Sequence, residues 1–224
     1  MTALFSFLFE SPFLFVIFII VAFSTVHSPL STFSFQLFST ILNRMPTKIA
    51  LFRGINVGGK NTLKMKDLVL LLENLGATNV KTCIQSGNVV FETQDSKVIS
   101  AETISQSIQQ IYGFSPQVLL LTLEELHSAM QNNPFPEAES NPKALHFGFL
   151  AHKPENPRLD DLERLKAPTE AFILKDKVFY LYAPEGVGRS KLAASSERLL
   201  GVPMTDRNWN TVCKLYELAS AEVK

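Results

Sequence analysis

The chain is poor in cysteine and carries no excess of charge, and each shortage narrows what it can do. Its two cysteines, Cys83 and Cys213, stand far apart in apolar surroundings and form no CxxC pair. That excludes a disulfide framework and reads as reduced core thiols in a cytoplasmic protein. No Cys/His cluster has the spacing of metal ligands, so neither a metal nor a cofactor is expected. Lys+Arg and Asp+Glu number 21 each, giving a formal net charge of zero. Without a global positive field, binding to nucleic acid or to an acidic membrane would need a local basic patch. His127, His146 and His152 are scattered, with no carboxylate or cysteine partner at telling spacing, and read as structural. No Ser/His/Asp order, nucleophile elbow or pair of catalytic carboxylates is visible, which leaves open whether the chain is an enzyme.

What is present is enough apolar material for a core. The 224 residues are 46% hydrophobic, which suggests one or two domains. Composition breaks at Met45. Ten of the 18 phenylalanines precede it, with Glu10 and Arg44 as the only charges there, and Phe13 to Phe23 is unbroken apolar sequence. As a signal peptide this stretch lacks a basic n-region, and as a membrane span its dense apolar part is short. The expectation is that Met45 is the natural start and that residues 1–44 derive from a non-coding leader, with a targeting or membrane segment as the competing reading.

From Met45 onward two rounds of the same element order are expected. Thr47 to Phe52 reads as a buried strand, and a helix from about Met65 to Leu75 carries Leu68, Leu71, Leu72 and Leu75 on one face before Gly76 stops it. Val80 to Gln85 and Val89 to Phe91 read as strands about Ser86-Gly87-Asn88, Val98 to Tyr112 as a helix, and Gln117 to Leu121 as a strand. The linker 122–142 begins with a helix to about Gln131, opened by the capping box Thr122 to Glu125, and continues through Asn133-Pro134-Phe135-Pro136 to Pro142. The second round runs through a strand Ala144 to Leu150 and a helix Pro157 to Leu165 capped by Asn156. A hairpin of Ala171 to Leu174 with Val178 to Tyr182 follows, then a helix Ser190 to Leu200 and a short extended piece at Val202 to Thr205. A last helix covers Trp209 to Leu218. The predicted class is α+β: two ferredoxin-like β-α-β-β-α-β modules in tandem, 45–121 and 143–224, with a linking helix and an extra C-terminal helix.

Four stretches carry candidate chemistry. Arg53-Gly54-Ile55-Asn56-Val57-Gly58-Gly59-Lys60-Asn61 places three glycines between two cations, suited either to an anion or to a structural turn. It misses a nucleotide P-loop because Asn61 lacks the hydroxyl for Mg²⁺ and regular helical periodicity waits until about Met65. Gln85-Ser86-Gly87-Asn88 offers short polar side chains at a sheet end, or simply turns a hairpin. Gly186-Val187-Gly188-Arg189-Ser190-Lys191 puts cations and free amides at a helix start, or is an ordinary cap. In Asp206-Arg207-Asn208-Trp209-Asn210-Thr211 the only tryptophan either stacks on a ligand or pins the last helix.

Arg53-Gly54-Ile55-Asn56-Val57-Gly58-Gly59-Lys60-Asn61, Ile84-Gln85-Ser86-Gly87-Asn88-Val89-Val90-Phe91 and Arg207-Asn208-Trp209-Asn210-Thr211-Val212 together resemble the domain-of-unknown-function family number 1697, over about 45–219. The resemblance implies a small bacterial-type cytosolic α+β protein of two ferredoxin-like halves that starts near Met45, and it supplies no activity or cofactor. The expected arrangement is one cleft between the halves binding a small anionic, phosphate-type ligand. Arg53, Lys60, Arg189 and Arg207 would neutralise it, with Lys191 beside Arg189. Asn56, Asn61, Asn88 and Asn208 would orient it, Gly54, Gly58, Gly59, Ser86 and Ser190 would line the approach, and Trp209 would stack on it. The alternatives are a single-stranded nucleic-acid-binding module and a structural or interaction protein whose motifs lock the halves together. Oligomeric state is not legible.

Overall fold

The computed structural model describes residues 45–83, 87–94 and 98–221. The expectations for residues 1–44, and for Gln85 and Ser86, lie outside these residues. No described helix is long and apolar enough to cross a membrane. Residues from Pro46 onward form one compact unit.

The order is β1 (Thr47–Arg53), α1 (Met65–Asn74), β2 (Thr78–Thr82), β3 (Asn88–Glu92), α2 (Ala101–Tyr112) and β4 (Gln117–Thr122), then a linking helix α3 (Leu123–Gln131). It repeats as β5 (Leu145–Leu150), α4 (Leu159–Leu165), β6 (Ala171–Lys175), β7 (Val178–Tyr182), α5 (Lys191–Leu200) and β8 (Met204–Asn208), and ends with α6 (Trp209–Ala221). The fold is α+β, with two four-stranded antiparallel sheets ordered β2-β3-β1-β4 and β6-β7-β5-β8.

The central strands are continuously apolar because both of their faces are covered. In β1, Ile49 and Leu51 enter a central cluster while Ala50 and Phe52 enter an outer one built on Leu68, Leu71 and Leu72 of α1 and on Ile104 and Ile108 of α2. The second sheet does the same: Phe147, Phe149 and Tyr180 face the centre, and Phe179 and Leu181 face Leu162 of α4 and Leu192 and Leu199 of α5. Between the sheets lie Leu126 and Ala129 of α3 and Val212, Leu215 and Ala219 of α6. The linking and terminal helices therefore complete a core shared by the two halves, and each fully buried Leu or Phe in it contributes about 1.5–3 kcal/mol.

Local signals set the helix ends. Ser100 accepts from the Thr103 amide, Thr122 and Glu125 form the expected capping box, and Ser190 accepts from the Ala193 amide. Gly113 and Gly201 close α2 and α5 in the left-handed conformation. Several boundaries differ from expectation, β2 among them, which begins at Thr78 rather than Val80. The α2 start moves to Ala101, where the Ser100 side chain supplies the cap. The α4 start moves to Leu159, because the Arg158 amide donates to the Leu199 carbonyl at 2.9 Å and leaves Pro157 outside the helix. The eighth strand is longer and more polar than expected: Asp206, Arg207 and Asn208 pair with Gly148, Phe147 and His146.

Candidate functional site at the seam between the halves

The glycine stretch is a small hairpin. The Asn56 amide donates to the Asn61 carbonyl at 3.1 Å and the Lys60 amide to the Val57 carbonyl at 3.1 Å. Gly58 and Gly59, at φ +59° and +74°, form the turn between them, a geometry that favours residues without a Cβ. Asn56 and Asn61 also adopt positive φ, and their side chains stitch the loop. Asn56 Nδ2 donates to the Leu63 carbonyl at 2.9 Å, its Oδ1 accepts from the Leu63 amide at 2.8 Å, and Asn61 Nδ2 donates to the Gly54 carbonyl at 2.9 Å. These side chains, expected to orient a ligand, are engaged by their own loop. What the hairpin presents outward is Val57, 67% exposed, and the exposed Lys60.

Arg53 ends β1 and reaches the other half. Its Nη1 lies 2.5 Å from Glu197 Oε2 on α5, 3.1 Å from the Met204 carbonyl on β8 and 3.2 Å from Gln117 Oε1. Arg207 reaches back from β8. It shares the face of Phe147, its neighbour across the strands, and so points toward the first sheet. Its Nε donates to Asn88 Oδ1 at 2.5 Å, its Nη2 to the Phe52 and Gly87 carbonyls at 2.7 and 3.3 Å, and its Nη1 to the Asp206 carbonyl at 2.7 Å. Burial pulls its pKa below the usual guanidinium value, with the Asp206 carboxylate working in the other direction.

Asn88 is fully buried and holds the Cys83 carbonyl with its Nδ2 at 3.3 Å while its Oδ1 receives Arg207. Gly87, at φ +74°, sits where a Cβ would come within 2.8 Å of both Phe52 Cβ and Ile55 Cδ1. The turn before β3 is thus packed against the end of β1, and Arg207 bonds to both.

The remaining predicted residues go elsewhere. Asn208 Oδ1 accepts from the Thr211 amide at 3.0 Å and its hydroxyl at 2.9 Å, fastening the start of α6. Trp209 is partly buried in the central cluster, its ring 5.2 Å from Phe147. Arg189, Ser190 and Lys191 line a separate cavity of about 290 Å³ whose walls all come from the second half, Glu170 and Glu185 among them. Ser190 there is an N-cap. Two carboxylates in the lining oppose an anion, so this loop neither joins the seam nor forms the positive pocket expected of it.

Sequence reasoning missed Glu197 and Gln117, the partners of Arg53, and a carboxylate for His146. The β5–β8 pairing brings His146 Nδ1 to 2.7 Å from Asp206 Oδ2, and its Nε2 lies 3.0 Å from the Lys143 carbonyl. Both ring nitrogens face acceptors, so only the doubly protonated ring satisfies both. Burial lowers the pKa of this histidine, but the Asp206 carboxylate and the Lys143 carbonyl raise it more, leaving it above the ordinary value. Among the described residues no group of three or more His, Cys, Asp or Glu could hold a metal ion.

Comparison with known proteins agrees with this picture of the fold. The conserved bacterial protein SP0830 from Streptococcus pneumoniae is 30% identical, with a TM-score of 0.59 over 79% of this chain and 99% of its own. No curated protein matches. The family model described as Protein of unknown function (DUF1697) matches residues 45–180, and the chain belongs to that family.

Proposed function

We propose that this is an interaction protein of two ferredoxin-like modules, 45–121 and 143–224 joined by 122–142, whose motifs clasp the modules together and leave one exposed element for an anionic ligand, the Asn56–Asn61 hairpin. The observation that carries the reading is Arg207. All three of its side-chain nitrogens donate to acceptors of the protein itself, so an anion at the seam would have to displace Asn88 and two or more carbonyls. The hairpin is different. It is held by its own hydrogen bonds, so ordering it on binding costs little. Lys60 projects from it, and the exposed Lys64 and Lys66 follow, with no salt bridge to any of them among the described residues. The strand orders support the ferredoxin-like description. Both cysteines are free, which supports a cytoplasmic location.

The nucleic-acid alternative has less support, because the sheet faces that would stack bases are occupied by α3 and α6 on one side and by the paired helices on the other.

The test is thermal-shift screening of the chain and of its Lys60→Ala and Arg207→Ala variants against phosphate, sulfate, nucleotides and short RNA. A rise of several degrees with an anion, lost in Lys60→Ala and retained in Arg207→Ala, is expected. A rise lost in Arg207→Ala alone would return the ligand to the seam. Stabilisation by RNA only would favour the nucleic-acid reading, and a flat screen would remove the hairpin as an anion site.

A further inference from the structure

Each sheet has two edge strands, and three of the four are blunted or faced by the rest of the chain. At β2 the register shifts between Thr78 and Lys81, and Asn79 between them has φ +51°, so the edge is bulged and carries a lysine. β4 faces the second half, lining a cavity with Pro203 and Thr205. β8 is held at the seam through Arg207 and through Arg53 on the Met204 carbonyl. The fourth edge, β6, has no bulge, and its contact with the rest of the chain is at its last residue, where Lys175 Nζ donates to the Asn132 carbonyl at 3.1 Å. It pairs with β7 in unbroken register from Ala171 opposite Tyr182 to Lys175 opposite Val178. It reads Ala-Phe-Ile-Leu before its single lysine, and no described strand pairs with its other side.

We propose that β6 is a self-association edge, where a second copy of this chain adds its own β6 antiparallel across a two-fold axis at Ile173 and joins two four-stranded sheets into one. The strand is self-complementary in that register. Ile173, 38% exposed at the middle of the strand, meets its own copy. Phe172 falls opposite the second copy's Leu174, and both lie on the face that already packs against α4 and α5, so the pairing extends an existing apolar cluster. Lys175 falls opposite Ala171, which opposes no like charges within the strand, and a chain of zero net charge adds no long-range repulsion between copies. A five-residue edge buries less than a standard interface, so the dimer is expected to be weak, with dissociation in the micromolar range.

Sedimentation velocity of the full chain across roughly 5 to 200 µM tests this directly. The expected result is concentration-dependent dimer formation, shifted at least tenfold toward monomer by Ile173→Lys, with the circular dichroism spectrum unchanged because the side chain is already solvent-exposed. Independently, Ile173→Cys should give a covalent dimer on oxidation, since residues facing across an antiparallel pair have Cα atoms about 4.5–5.5 Å apart, within disulfide reach. The same change at Lys81, on the bulged edge, should not. A chain that stays monomeric throughout, a dimer indifferent to Ile173→Lys, or failure of Ile173→Cys to cross-link would overturn the proposal.

Discussion

Arg53 and Arg207 stand at the same seam and reach across it in opposite directions, each donating to backbone carbonyls of the other half, yet they do different work. Arg207 comes from an edge strand, points between the sheets and is bonded through Nε, Nη1 and Nη2. Arg53 leaves the end of a central strand, is 46% exposed, and concentrates its contacts on Nη1. The chemistry of the two side chains is identical, so what separates them is where water can go. Around Arg53, water can replace Glu197 or Gln117 when the contact is lost. Around Arg207, Asn88 and the Phe52 carbonyl lie in the interior, with no such substitute.

The largest expected effect follows from that difference. Arg207→Ala withdraws the guanidinium from the Asn88 side chain and the Phe52 carbonyl, and at about 1.5–3 kcal/mol for each hydrogen bond to a charged group the loss should reach about 3 kcal/mol or more. Chemical denaturation would measure it as a lowered midpoint. Arg207→Lys should recover little, because a single ammonium cannot serve Asn88 and Phe52 from one planar fork. Asn88→Ala should add to Arg207→Ala less than it costs alone, since the two share one contact while the Asn88 bond to the Cys83 carbonyl is separate. A variant as stable as the parent would remove the clasp.

How much of this was legible beforehand depended on reach along the chain. The capping residues Thr122 and Ser190 and the closing Gly113 and Gly201 act within a few positions and are legible in the sequence, whereas the Ser100 cap, equally local, is hidden by an apolar pattern that extends back to Val98. Gly58-Gly59 between Val57 and Lys60 was also a local signal, that of a two-residue hairpin turn, but the flanking cations drew attention to anions instead. Left-handed asparagines on either side belong to the same turn chemistry. The seam was not legible. Arg207 meets residues 119 to 155 positions earlier, and Arg53 meets Glu197 144 positions later. The strand pairing that supplies those neighbours was hidden by the polar character of Asp206, Arg207 and Asn208, which suggests a loop until the edge position of β8 is known.

His146 sharpens the comparison from the buried end. Its partner Asp206 precedes Arg207 on β8, so the charged imidazole helps hold the strand that carries the clasp. Its pKa is raised in the folded protein. The stabilisation is therefore fully present below the unfolded value of about 6.5 and is lost as pH climbs through the folded value. The melting temperature should fall as pH rises above about 6.5, by less than Arg207→Ala lowers it, and His146→Gln should flatten that slope. A slope unchanged in the variant would assign the dependence to other groups.

The smallest effect belongs to Arg53. An ion pair with both partners partly solvated contributes about 0–1 kcal/mol, and the Met204 carbonyl and Gln117 can turn to water once the guanidinium is gone. Arg53→Ala and Glu197→Ala should each shift the denaturation midpoint slightly. Their difference from the parent should shrink further in about 1 M salt, where screening acts over roughly 3 Å. Arg207→Ala should keep its full effect in the same salt, because its contacts are hydrogen bonds in the interior rather than an exposed pair. If Arg53→Ala instead cost as much as Arg207→Ala and resisted salt, the exposed end would carry the seam. Removing Arg53 would then have to open the two halves, and the buried contacts of Arg207 would depend on it.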